Sequence, residues 1–186
     1  MGTIKIGSSN NQKGITIDPS IVLFNGNNVK KIMKDATTIW EDLKALIPTM
    51  TSNSMDGIAL SASSVNASSQ DCYKACDGDP STVWYDSTTA SGSTAWFKVA
   101  FSEQKRVKKM HFVGSGGSDS ATVKLQGSND NSNFTDLTSE INVSETDIVV
   151  DKIGSYKYYR IYFNNVYHNA SIGAAAGINV LQLYGN

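Results

Sequence analysis

Through most of the chain, apolar and polar residues alternate over short stretches, the period of a half-buried β-strand. From Trp96 to Phe101 the pattern puts Phe97, Val99 and Phe101 on one face, with Lys98 and Ala100 on the other. Tyr159, Ile161 and Phe163 share a face opposite Tyr158, Arg160 and Tyr162, and Ala121, Val123 and Leu125 share another. Val107 to Val113 reads as a strand with an irregularity at Lys108-Lys109, and Ile178 to Tyr184 as a nearly continuous apolar strand. Several short strands, long polar loops and no amphipathic helix predict a β-sandwich. Trp84 and Trp96 are expected to pack it from within.

The first part of the chain carries its own β signals. Thr3 to Ile6 alternates, Ile15 and Ile17 alternate, and Ile21 to Phe24 runs into the turn Asn25-Gly26. Val29 to Met33 and Thr37 to Trp40 flank the turn residues Asp35-Ala36, so the region reads as a small sheet of hairpins. Glu41 to Ile47 is compatible with two helical turns, and Pro48 heads a polar segment that breaks the pattern. These signals divide the chain into a small β attachment module (residues 1–47), a linker (48–57) and a β-sandwich (58–186). So short a first module buries too little area to stand alone, so it is expected to dock on another chain or on the sandwich.

Composition narrows the partners. The 186 residues carry a formal net charge of −1, and 18% are charged. Nothing resembles the basic stripe needed for phosphate contacts, so no nucleic-acid partner is expected. No apolar run approaches the length of a membrane span, so no membrane insertion is expected. The start, MGTIKIGSSNNQ, lacks a basic stretch followed by an apolar one, which argues against a secretory signal and for synthesis in the cytoplasm. The two cysteines, Cys72 and Cys76, have no histidine nearby and read as small packing residues in a turn. His111 in a strand and His168 in a loop lie near no nucleophile motif. Gly114 to Ser118 reads as a flexible turn, not a phosphate cradle. The expectation is a protein that is not an enzyme.

Several segments, in order, carry a resemblance. Ala75-Cys76-Asp77-Gly78-Asp79-Pro80-Ser81-Thr82-Val83-Trp84 resembles the A-x-D-G-D-x-x-T-x-W segment of the coagulation factor V/VIII C-type, or discoidin, domain. Trp96 to Phe101 is similar to its W-L-x-V-D-L strand. Leu125 to Asp130 followed by Phe134 to Leu137 is similar to its S-x-D … W-x-x-L segment, with Phe134 in place of tryptophan. Tyr158-Tyr159-Arg160-Ile161 and Ile178 to Gly185 resemble its last two strands. Separately, Asn25 to Glu41 loosely resembles a G-x-x-V-x-K-I strand, turn and Val/Ile-Trp-Glu strand common in phage tail and other virion proteins.

The first resemblance implies an all-β, jelly-roll-like sandwich that binds carbohydrate through loops at one end and is generally non-catalytic. It also implies a structural calcium at the Asp-Gly-Asp turn. By motif position its ligands would be the Asp77 carboxylate, the carbonyls of Lys74 and Asp79, and the carbonyl and hydroxyl of Thr82. The backbone of Ala176 would close the site. Oxygen ligands of this kind suit a hard cation. Gly177 stands where a glutamate often follows that alanine, which predicts a weakened site. Candidate glycan contacts are Tyr73, Tyr85 and Asp86 after the turn, and Tyr167, His168 and Asn169 before the last strand. They pair aromatic faces for sugar C–H groups with polar groups for hydroxyls.

Together these readings describe a non-catalytic protein that recognises a bacterial surface glycan in a phage virion or tail. Its N-terminal module would dock on other virion proteins or on itself. The alternative is a structural virion protein that uses the sandwich for protein contacts. A third, an accessory domain of a secreted glycoside hydrolase, fits less well with an initial methionine and a distinct first module.

Overall fold

The computed structural model describes residues 3–6, 13–16, 23–24, 27–28, 31–34, 37–41 and 43–186, except 89, 91, 116–121, 143–146, 167 and 169–175. Two compact units divide between Asp42 and Leu43.

The first unit is built from antiparallel backbone pairs. Strands β1 (Thr3–Ile6) and β2 (Lys13–Thr16) pair from Thr3–Thr16 to Ile6–Lys13. Strands β3 (Leu23–Phe24) and β4 (Asn27–Asn28) pair across Asn25-Gly26, with Phe24 opposite Asn27. That is the tight connection an Asn-Gly dipeptide favours, because both residues tolerate positive φ. Strands β5 (Lys31–Lys34) and β6 (Thr37–Glu41) close across Asp35-Ala36, with a register shift at Ile32/Met33. Residues 25–26 and 35–36 themselves lie outside the described residues.

The second unit begins earlier than sequence patterning predicts. Strand β7 (Lys44–Ala45) replaces the expected helical turns, because Lys44 and Ala45 pair with the edge of the final strand. Gln182 clamps the next peptide, accepting from Ile47 N–H and donating to the Ile47 carbonyl at 2.7 Å. The segment read as a linker is also part of the sandwich. Met50 is 1% exposed in its core, as is Ile47, which was read as the end of the first module, and β8 (Ser54–Met55) pairs with β9 (Ile58–Ala62). An apolar residue every few positions in a polar stretch was the missed signal.

The remaining strands are β10 (Trp84–Tyr85), β11 (Ser93–Gly114), β12 (Thr122–Ser128), β13 (Thr135–Asp136), β14 (Ile141–Asn142), β15 (Asp147–Val149), β16 (Ser155–Val166) and β17 (Gly177–Gly185). The long β11 belongs to both layers. Its first half lies between β9 and β16, in a layer continued by β12 and edged by β13 and β14. Its second half pairs with β17 and β15, and β17 carries β10 and β7 on its other edge. The change of layer coincides with the register shift between Ala100 and Lys105, and the irregularity expected at Lys108 falls between Val107 and Lys109. An extra residue in one strand bends it and raises its twist, which lets one strand serve two sheets.

The core between the layers follows the predicted alternation. Phe97, Val99, Phe101, Val123, Leu125, Tyr159, Ile161 and Phe163 point inward from one sheet, and Met110, Phe112, Ile178, Leu181 and Leu183 from the other. Tyr159 donates to the Lys105 carbonyl at 2.6 Å and accepts from Val107 N–H, so its buried hydroxyl is satisfied where β11 turns. Trp84 is fully buried as expected, but Trp96 is half-exposed. It neighbours the inward Phe97, so strand alternation sends it to the opposite face, where Lys98 lies over its ring. Both cysteines are buried and free. Burial pushes the Cys72 thiol up to about 12 and raises that of Cys76 as well, so both are inert packing groups. Among the described residues no helix is long and apolar enough to cross a membrane.

Candidate functional site

One end of the sandwich gathers most of the residues singled out above. A short 3-10 helix (Cys72–Ala75) starts at Asp71, whose carboxylate accepts from Cys72 N–H at 2.7 Å. Asn53 braces it, donating to Asp71 and accepting from Tyr73 N–H, both at 2.8 Å. The following turn folds on itself through the φ of +78° at Gly78, a conformation that favours glycine.

Within that turn, oxygens converge on the Thr82 hydroxyl. It lies 2.9 and 3.0 Å from the two Asp77 carboxylate oxygens, 3.0 Å from the Lys74 carbonyl and 2.9 Å from the Asp79 carbonyl. A hydroxyl carries one proton. It can serve only one of these acceptors at a time, while Asp77 also accepts from Asp79 N–H at 3.0 Å and the Asp79 carbonyl from Thr82 N–H at 3.2 Å. Positive charge already approaches from one side, with the Lys74 ammonium 3.4 Å from Asp77. The Asp79 carboxylate turns outward to Ser81, whose hydroxyl and N–H hold it below the usual carboxylate range. Among the described residues no three carboxylate, imidazole or thiol side chains converge. A cation here would therefore be held by one carboxylate and several neutral oxygens, the donor set of calcium. Lys74, Asp77, Asp79 and Thr82 fit that ion.

Ala176 does not belong to this set. Its N–H donates to Asp86 at 2.7 Å, and its carbonyl accepts from Asp86 N–H at 3.0 Å. The register of β10 on β17 sets Trp84 opposite Ile178 and Tyr85 opposite Gly177. The last strand therefore meets the turn three positions later, where Asn179 donates to the Thr82 carbonyl at 2.9 Å and the Pro80 carbonyl at 3.3 Å. Gly177 has a different role from the one expected. A Cβ there would clash with the Cδ1–Cε1 edge of the Tyr85 ring and with the Ser115 Cβ. The missing side chain makes room for the tyrosine, which stands opposite Gly177 in the strand pairing.

The glycan candidates separate in the same way. Tyr85 is half-buried, with its ring over Gly177 and its hydroxyl hydrogen-bonded to Ser115. Tyr73 is half-buried beside the turn, with the Lys74 ammonium 4.7 Å from its ring centre. Asp86 is fully buried and accepts from the N–H groups of Ala176 and Thr88, so it is a structural tie and not a ligand contact. Polar loop position suggested exposure, but backbone donors from two segments draw the carboxylate inward. His168 is half-buried, while Tyr167 and Asn169 lie outside the described residues. Ser115, Asn53 and Asn179 went unrecognised in the sequence, since only their partners distinguish them from any other serine or asparagine.

The geometry is that of a two-layer β-sandwich with an oxygen-lined turn and a seated aromatic ring at one end. The F5/8 type C domain family matches residues 59–178. The chain belongs to this family. The match does not extend to Asn25–Glu41, the segment with the virion resemblance. Among solved structures, a chitosan-binding module in complex with chitotriose, from a chitosanase/glucanase of Paenibacillus sp. IK-5, is similar with a TM-score of 0.56 and 20% identity. The similarity covers 69% of this chain and 97% of that one. A CBM32 module from a family 31 glycoside hydrolase of Clostridium perfringens matches with a TM-score of 0.54 and 17% identity, over 70% of this chain and 92% of its own. A further C. perfringens CBM32 module, in complex with GalNAc-β-1,3-galactose, matches with a TM-score of 0.54 and 14% identity, over 68% and 94%. At these identities the likeness establishes the fold. No curated protein sequence matches this chain.

Proposed function

We propose that this protein is a non-catalytic glycan-binding protein whose sandwich holds a sugar at the end formed by the 72–88 segment and the start of β17. The observation that carries this reading is Tyr85, whose ring is seated on the backbone at Gly177 and whose hydroxyl is tied to Ser115. A ring held this way loses little conformational freedom when a sugar stacks on it. Tyr73, beside the preceding turn, would add an aromatic surface, and His168 would add a hydrogen-bonding imidazole. The similar solved structures include modules bound to chitotriose and to GalNAc-β-1,3-galactose, which supports a saccharide as the ligand class.

The test is titration with chitotriose, GalNAc-β-1,3-galactose and soluble bacterial cell-wall polysaccharide, followed by NMR. Stacking with a few hydrogen bonds should give a Kd of about 0.1–1 mM, or about −4 to −5.5 kcal/mol. Tyr85→Ala should abolish binding and His168→Ala should reduce it. Tyr85→Phe keeps the ring and should retain most of it. If no sugar shifts the resonances of Tyr73, Tyr85 and Ser115, the reading fails and protein contacts become the better use of the sandwich.

Calcium in the 74–82 turn is part of the same proposal, supported by the oxygen cluster around Thr82. The ion would stiffen the turn that precedes Tyr85. Calcium should then raise the melting temperature, with a gain of about 2.7 kcal/mol at a hundred times its Kd. Asp77→Ala should erase that calcium-dependent increment, since it removes the one carboxylate in the set. Identical melting in calcium and in chelator would remove calcium from the account.

The setting we propose is the surface of a phage virion made in the bacterial cytoplasm. There the hairpins of residues 1–42 would dock on other virion proteins or on a second copy, and the sandwich would recognise a host surface glycan. The resemblance of Asn25–Glu41 to virion proteins supports it. Several copies on one particle would turn weak single-site binding into useful avidity.

A further inference from the structure

The outward face of the β9-β11-β16-β12 layer is unlike an ordinary solvated sheet face. Cross-strand register lines up its side chains in rows. One row runs from Trp96 on β11 through Tyr162 on β16 to Lys124 on β12. The next runs from Ser61 on β9 through Lys98 and Arg160 to Gln126. Adjacent rows lie about 7 Å apart, two residues along a strand. The ring of Phe134, from the loop before β13, covers Arg160 with its centre 3.9 Å from the guanidinium carbon, and Tyr162 lies 5.2 Å from the same atom.

The charges on this face are unevenly matched. Lys124 is neutralised by Asp136 at 3.1 Å and Glu140 at 3.6 Å. Lys98 and Arg160, by contrast, stand directly opposite each other across the strands. Like charges so placed destabilise a sheet. Neither has a carboxylate within ion-pair distance among the described residues. The Lys98 ammonium donates to Asn131 at 2.9 Å, and the Arg160 guanidinium donates through Nε and Nη2 to Gln126. The charge of Asp136 reaches Arg160, but its carboxylate oxygens are taken by Lys124 and Gln126. Two facing cations with no ion pair of their own among the described residues, flanked by three half-exposed rings, occur in a chain whose net charge is −1.

The geometry points to a second binding surface on this sheet face, for an acidic polysaccharide. The rings of Trp96, Tyr162 and Phe134 would cover sugar C–H faces, and Lys98 and Arg160 would receive the polymer's carboxylate or phosphate groups. Charge complementarity selects an anionic partner, since an anion between the two cations relieves their repulsion. The aromatic neighbours select a sugar polymer over a simple ion. A flat array of rows suits an extended chain better than a single residue held in a pocket. This surface is separate from Tyr85 and Ser115, and it stands whether or not the loop end binds sugar.

The test uses the full chain and three probes: oligogalacturonate, its fully methyl-esterified form and polyglycerol phosphate. Binding is read by NMR through the Trp96 indole and the Arg160 side chain. Oligogalacturonate should shift both resonances, and its methyl ester should bind at least tenfold more weakly, because it keeps the rings and loses the charge. Lys98→Gln should weaken oligogalacturonate binding about tenfold at a melting temperature no lower than that of the wild type, since it also removes the repulsion of Arg160, and Trp96→Ala should weaken it similarly. Arg160→Gln is the less suitable variant, since Phe134 packs on the guanidinium. If polyglycerol phosphate binds as well, the surface reads the anion whichever group supplies it, and if it alone binds, with no sugar ring to stack, the assignment to a sugar polymer is overturned. Equal binding of the ester, or no shift at Trp96 with either anionic polymer, overturns the proposal. So does self-association that Trp96→Ala abolishes, which would assign the face to a second copy of this chain.

Discussion

Replacing Trp84 by alanine is expected to lower the stability of the sandwich by about 3–5 kcal/mol, the range for removing a large aromatic side chain from a core. Trp84 is fully buried where the layers meet. Its ring centre lies 5.2 Å from that of Phe97, nearly edge-on, and 6.0 Å from that of Phe163, which in turn contacts Phe112 from the opposite sheet. The indole N–H donates to the Ser64 carbonyl at 3.1 Å, so the loop after β9 is tied to the same side chain. Removing it opens a cavity between layers held apart by long β-strands, which relax poorly. For a domain of this size the melting temperature should fall by roughly 10 °C or more. Trp84→Phe keeps an aromatic ring but loses the bond to Ser64, and should cost about 1–2 kcal/mol. Urea unfolding of the three proteins checks the order. A loss below 1 kcal/mol for Trp84→Ala would show that the layers do not close on this ring.

Asp86→Ala is expected to cost about 3 kcal/mol, because each buried donor left unpaired costs about 1–3 kcal/mol. The carboxylate accepts from Ala176 N–H at 2.7 Å and from Thr88 N–H at 3.1 Å, while its own N–H donates to the Ala176 carbonyl. One buried side chain therefore fastens the chain after β10 to the residue that precedes β17. Asp86→Asn retains one acceptor and turns an N–H₂ toward a donor, so it should cost about half as much. Because Tyr85 sits between Asp86 and Trp84, the alanine variant should also loosen the ring over Gly177. Slower exchange at the Ala176 amide than at neighbouring loop amides would accompany the wild-type bond. Equal unfolding midpoints for wild type and Asp86→Ala would show the carboxylate to be dispensable.

The contrast between these two residues shows how far local pattern reaches. Trp84 was legible as core, as a large aromatic residue closing the Asp-Gly-Asp segment and expected to pack within the sandwich. Asp86, an acid in a polar loop, read as a ligand contact, because nothing nearby in the chain identifies the N–H groups that bury it. Lys74, Asp77, Asp79 and Thr82 were placed in one turn by the family resemblance, and the structure brings their oxygens together because they lie within one short segment. The turn's partner from the last strand was not legible: Ala176 was expected and Asn179 is found, because the register of β10 on β17 depends on pairing between distant segments.

The sequence by itself determined the strand faces of β11, β12 and β16, the Asn-Gly hairpin and the all-β class. A strand's period of two is a property of the backbone and needs no partner. Tertiary structure alone decided that Lys44–Ala45 joins the edge of β17, that Ile47 and Met50 enter the core, and that Tyr85 rests on Gly177. It also decided that Lys98 faces Arg160 among Trp96, Tyr162 and Phe134. Alternation sends the four strand side chains outward and the loop before β13 brings Phe134, but only cross-strand register and loop placement make them neighbours. Register is set by the fit of whole sheets around their buried faces, which no single segment encodes.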